Sequence, residues 1–148
     1  MPNLIQWDAA PNTEGNVLST ELNSLADGSR TNAGTEVDNS ANLDTYALLE
    51  LTVTFGTAPS AGGYLALFMV TAPDGTQYSD GSSSVDPGAD TWVLNIPVRA
   101  VTTIQHKITK IFPLPNAKFK FILENQSGQA FPASGSTVEL FSMNYELQ

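Results

Sequence analysis

Hydrophobic and polar positions alternate with a period of two through most of the chain after residue 45. From Tyr46 to Phe55, Leu49, Leu51, Val53 and Phe55 fall on one side, with Leu48, Glu50, Thr52 and Thr54 on the other. That pattern predicts a half-buried strand. Tyr64 to Thr71 (YLALFMVT) is apolar at nearly every position, which predicts a central strand with both faces covered. Ala72-Pro73-Asp74-Gly75 then ends it as a proline-led turn, and the polar run SDGSSSVDPGAD from Ser79 to Asp90 predicts a surface loop.

Strand character resumes from Trp92 to Val98, with Pro97 near the end, where a missing amide donor is best tolerated. Val101 to Phe112 and Ala117 to Glu124 follow, joined by the short PLPNA connection, and predict either a hairpin or a sheet corner. In the second of these, Phe119, Phe121 and Leu123 form the core face and Lys118 and Lys120 point outward. Thr137 to Leu147 predicts a last strand that ties the C-terminal end into a sheet.

The first 45 residues lack this alternation. Ser19 is placed to cap a short helix carrying Leu22 and Leu25 and ended by Asp27-Gly28, and the polar residues around it predict an extended arm that orders against a neighbour. The expected architecture is therefore all-β. It is a two-sheet antiparallel β-sandwich, jelly-roll-like, with an N-terminal arm and at most one short helix. Residues 1–45 form the arm and helix and residues 46–148 the sandwich body, all within one domain.

Composition narrows the chemistry. A chain of 148 residues is long enough to bury a core unaided. It has no cysteine, which removes disulfides, thiolate metal sites and a cysteine nucleophile. MPNLIQWDAAPNTEG has neither the basic start nor the apolar run of a secretory signal, and no stretch reaches the roughly 18 apolar residues of a membrane helix. A soluble protein assembled in a cytoplasm is expected. The net charge of −9 argues against a partner bound through nucleic-acid phosphates.

The distribution of charge says more than its total. From Met1 to Val98 there are twelve carboxylates and a single cation, Arg30, whereas from Arg99 to Leu123 there are five cations and no acid. These five are Arg99, Lys107, Lys110, Lys118 and Lys120. Either they line the solvent side of strands and blunt an edge, or they form a basic face that docks on an acidic partner.

Catalytic motifs are missing. His106 is the sole histidine, no GxSxG elbow accompanies it, and it is expected as an ordinary strand residue. Asp74, Asp80, Asp86 and Asp90 sit beside Gly, Ser or Pro, where aspartate closes turns, and their spacing does not match a calcium loop. No phosphate-binding glycine motif is present, and neither a cofactor, a catalytic residue nor a metal is expected. Trp7, Trp92, Tyr64 and Tyr78 are the materials of a sugar-stacking platform, but Trp92 and Tyr64 fall on apolar strands and are expected in the core. Trp7 is different. Together with Leu4 and Ile5 it makes an apolar patch in a polar segment, suited to a pocket on its own domain or on an adjacent subunit.

Four stretches, LSTELNSLADG, EVDNSANLDTYALLELTVTFGTAPSAGGYLALFMVTAPDGTQYSDGS, IPVRAVTT and PLPNAKFKFILENQSGQAFPASGSTVEL, carry a resemblance over most of residues 18 to 140. They resemble small virion structural proteins of tailed bacteriophages encoded near the capsid and tail genes. That resemblance implies a capsid decoration, or cement, protein: a β-rich homo-oligomer, a trimer by preference, bound to the major capsid protein on the outside of the virion. It implies no functional residues, so Trp7, Leu4, Ile5, Arg99, Lys107, Lys110, Lys118 and Lys120 stand as interface candidates on the residue reading alone. A glycan- or receptor-binding module of a tail or fibre is the alternative.

Overall fold

A computed structural model describes residues 5–7 and 11–147, with only the backbone described at 5–7, 146 and 147. Its strands are β1 (Ile5–Trp7), β2 (Asn12–Leu18), β3 (Val37–Asp38), β4 (Tyr46–Val53), β5 (Tyr64–Ala72), β6 (Trp92–Pro97), β7 (Gln105–Ile108), β8 (Phe112–Pro113), β9 (Lys118–Gln126), β10 (Thr137–Met143) and β11 (Tyr145–Leu147). The helical elements are one four-residue helix, α1 (Asn39–Asn42), and 3-10 turns at Thr20–Leu22 and Ala89–Thr91. One sheet runs β2-β10-β4-β7, with β8 also paired to β4. The other runs β3-β9-β5-β6, and β1 pairs β11 separately.

All the pairings are antiparallel. Numbered among themselves from β2 to β10, with β7 and β8 as one interrupted strand, the strands pair as 1-8-3-6 and 2-7-4-5. This is a jelly roll. The segment after Val101 is therefore the sheet corner and not the hairpin: β7 and β8 pair β4 in one sheet, while β9 crosses to pair β5 in the other.

Period-two burial is clearest on β4, where Ala47, Leu49, Leu51 and Val53 are all buried. They face Phe119, Phe121 and Leu123 of β9 and Leu65 and Leu67 of β5 within one continuous core. Edge-on ring pairs, Phe119 with Phe121 at 5.5 Å and Phe55 with Phe131 at 5.3 Å, fill its length. β5 is central as expected, and the cover on its outer face is the loop after Ser79. Gly81 lies so close to Val70 and Ile122 that a Cβ there would stand 3.0 Å and 2.9 Å from their side chains.

The N-terminal segment differs from the expected arm from Asn12 onward. β2 is an edge strand of the first sheet, and Leu22 and Leu25 are buried in the core. The expected helix is reduced to a single 3-10 turn in which the Ser19 side chain accepts no capping bond and the Ser19 N–H donates to Glu21 Oε2 at 3.0 Å. Its polar sequence misleads because this segment satisfies its backbone by crossing between sheets, which needs no alternation.

Candidate functional site: an open edge between two sheets

A sandwich has two sides where its sheets end. On the first, β2 lies across from β3, and the chain closes the gap with residues 30–38. The Thr31 N–H donates to Leu123 O at 2.9 Å and Thr31 Oγ1 accepts from the Leu123 N–H at 3.0 Å. Gly34 N–H donates to Phe121 O and Thr35 N–H to Val17 O, both at 2.9 Å, so one extended segment bonds to both sheets. Only glycine fits at position 34, since a Cβ would collide with the Val17 carbonyl and stand 2.7 Å from Leu18 Cδ2.

On the second side, β6 and β7 end their sheets and no described segment bridges them. The sheets part there into a groove of about 480 Å³. Leu94 and Ile96, opposite Leu67 and Leu65, form its floor, and Lys107 and Thr109 form a wall opposite the buried Leu51 and Leu49. Ile108, Lys110, Asn95 and Pro97 complete the rim. Ile104, Ile108 and Ile111 are 53%, 68% and 48% exposed, an unusual density of apolar surface for one short stretch.

Local bonding fixes this surface. Gln105 is buried and holds both main-chain groups of Arg99: its Oε1 accepts from the Arg99 N–H at 2.8 Å and its Nε2 donates to Arg99 O at 3.0 Å. At the far end the Thr109 N–H donates to Leu49 O, but Thr109 Oγ1, not its carbonyl, accepts from the Leu49 N–H, both at 2.9 Å. Register then slips, since Leu49 lies across from Thr109 whereas Ala47 pairs Phe112, leaving one extra residue on the edge. The bulge throws Lys110 and Ile111 outward.

The cations divide between the two sides. Arg30 pairs with Asp86 and with Glu124 at 3.5 Å, Lys118 with Glu36 at 3.0 Å, and Lys120 lies 4.4 Å from the centre of the Tyr78 ring. Tyr78 also donates its hydroxyl to Glu36. These contacts hold the Glu36 carboxyl below its usual range, first through the Tyr78 hydroxyl and then through Lys118. Burial, seconded by Glu36, pushes the Tyr78 phenol up to about 12. By contrast, among the described residues Arg99, Lys107 and Lys110 have no carboxylate within ion-pair distance.

Of the eight interface candidates, the structure thus brings Lys107 and Lys110 to the groove, with Arg99 at the base of the loop leading to β7. Lys118 and Lys120 are engaged within their own chain. Leu4 lies outside the described residues, as do the side chains of Ile5 and Trp7, whose backbone pairs with Leu147 and Tyr145. Ile104, Ile108, Ile111 and Gln105 were not singled out by the sequence. The break in alternation at QHKITKIF, with apolar residues at outward positions, is the signal that marks them.

Trp92 and Tyr64 are corrections. They are 51% and 38% exposed rather than core, because Trp92 opens the edge strand β6 next to the register shift against β5, and Tyr64 opens β5 on the face opposite Leu65 and Leu67. Asp74 is the turn residue expected, its Oδ1 accepting from the Thr76 and Gln77 N–H groups at 2.9 and 2.8 Å, which lowers its pKa. His106 lies exposed on β7 with Nδ1 3.2 Å from both Thr52 Oγ1 and Glu50 Oε1. Among the described residues no three His, Asp or Glu side chains converge on a metal site, and no helix is long and apolar enough to cross a membrane.

No protein-family model and no curated protein matches the chain. Solved structures give distant likenesses. One is of the Desmodium yellow mottle tymovirus, 13% identical, covering 100% of this chain and 91% of the other with a TM-score of 0.36. A second is of the infectious bursal disease virus Gx strain, 10% identical with a TM-score of 0.35, where 97% of this chain spans only 33% of the other. A CBM4 structure is 12% identical over 99% and 84% of the two chains, with a TM-score of 0.25. At such TM-scores these likenesses assign no role.

Proposed function

We propose that this chain is a non-enzymatic structural component of a phage virion, which decorates the capsid and stabilises it by binding the major capsid protein. The observation that carries the reading is the open edge: three exposed isoleucines beside three cations that pair with no described carboxylate, on an otherwise acidic molecule. Apolar area supplies binding free energy and the unpaired cations supply orientation against an acidic surface. The resemblance of residues 18 to 140 to phage virion proteins supplies the partner. The jelly roll suits the role by analogy, being an architecture that capsid and lectin domains share.

In this reading the protein sits as a homo-oligomer on the outer capsid surface, with neither nucleic acid nor membrane as partner. Particles lacking the protein should lose resistance to heat and osmotic shock and regain it when purified protein is added back. Undiminished resistance without the protein would overturn the cement role.

The exposure of Trp92 and Tyr64 favours a second reading, a glycan-binding module of a tail or fibre, because exposed rings on a sheet stack against sugars. A glycan array decides: binding abolished by Trp92→Ala supports it, and silence at high protein concentration rejects it.

A further inference from the structure

The two strands bordering the groove are not equivalent as edges. On β6, Val98 N–H donates to Gly63 O, and antiparallel pairs alternate, so Leu94 and Ile96 turn their main-chain groups to β5 while Asn95 and Pro97 turn theirs outward. Pro97 has no N–H, which blunts β6 at its outward position. On β7 the bond from Thr109 N–H to Leu49 O sets the same alternation, so His106 and Ile108 present their N–H and C=O groups away from β4. No proline, described segment or bulge blocks those two residues. This edge can accept a strand.

We propose that β7 binds its partner by strand addition: an extended segment of another polypeptide, alternating apolar and carboxylate side chains, pairs antiparallel or parallel along Gln105–Ile108. Its apolar side chains enter the groove over Leu94 and Ile96 beside the Lys107 side chain, and its carboxylates, on the opposite face, reach Lys110 at the bulge. The proposal rests on the binding role above and names the mode of binding at that site. It has an internal template, since residues 30–38 already close the other side by the same means, bonding to β9 and β2 together.

A different polypeptide fits better than a second copy. The edge strand of this chain that would meet β7 in a head-to-tail pairing is β2, and β2 is distorted by two register shifts against β10 and has its Val17 carbonyl occupied by Thr35.

The experiment compares Ile108→Pro with Ile108→Ser in binding to particles that lack the protein. Proline removes an outward N–H and no ladder bond to β4, whereas serine removes the apolar side chain and keeps the N–H. Strand addition predicts that proline weakens binding by at least about tenfold more than serine, with an unchanged thermal melt for both. Amide exchange on the wild-type complex supplies a second readout, in which His106 and Ile108 become protected. Equal losses for the two variants, or unprotected amides in a complex that forms, would overturn strand addition and leave the decoration role standing. Absence of wild-type binding would remove both. Binding that disappears when wild-type copies are held monomeric by dilution would replace the foreign strand with a second copy.

Discussion

Where β2 lies across from β3, residues 30–38 bond to both sheets, and the cations nearby meet Glu36, Asp86, Glu124 or the Tyr78 ring. Where β6 lies across from β7, nothing described spans the gap, three isoleucines face solvent and three cations pair with no described carboxylate. The same fold has therefore satisfied one edge internally and left the other unsatisfied. Exposed edges invite aggregation and are normally blunted, as Pro97 and the bulge after Thr109 do at their own positions. On the proposed reading, an edge left open between such devices is a surface held for another molecule. The difference separates residues that hold the fold from residues proposed to serve association.

The largest effect should come from breaking the closed side. Gly34→Ala forces a methyl group into the Val17 carbonyl and Leu18, and should cost about 3 kcal/mol of unfolding free energy, read from denaturant midpoints. Unchanged stability would mean that residues 30–38 do not bridge the sheets. Next, Thr31→Val keeps the side-chain shape but removes the Oγ1 acceptor of the buried Leu123 N–H, at about 1–2 kcal/mol.

On the open side the expectation reverses. Lys107→Glu with Lys110→Glu should leave stability within about 0.5 kcal/mol, since neither makes an ion pair with a described residue. Particle binding should fall by about tenfold and its salt dependence should flatten. Lys118→Glu is the contrasting variant. It sets a second carboxylate against Glu36, so it should disturb the fold of the closed side more than it disturbs binding.

How far this division was legible in the sequence depended on what each side uses. The strands of the body were readable because burial on one face leaves a period of two, as in Ala47 to Val53 and Phe119 to Leu123. The closing segment was not. Thr31, Gly34 and Thr35 act through their main chains and through one hydroxyl, so their polarity looked like that of a free arm. The acid-free stretch from Arg99 to Leu123 was visible as charge, but linear order cannot show that Lys118 meets Glu36 while Lys107 pairs with no described carboxylate. Trp92 misled because hydrophobicity alone does not distinguish an edge strand from a central one.

The smallest effect tests whether the closed side's cations are engaged. Glu36 has a lowered pKa, so its contribution is present above the ordinary carboxylate value of 4.5 and fades as pH falls through the lowered one. Tyr78 has the opposite sense: with its phenol pushed from 10.0 to about 12, its contribution is complete below 10.0 and fades as pH rises toward 12. Glu36→Gln should therefore narrow the stability profile at its acid limb and, by removing the charge beside Tyr78, at its alkaline limb as well. Ultraviolet titration of the wild type should find one tyrosine ionising late, and in the variant that phenol should move back toward the ordinary value. Identical titrations would mean that Tyr78 and Glu36 do not meet in solution, and Lys118 and Lys120 would then join Lys107 and Lys110 as cations available to a partner.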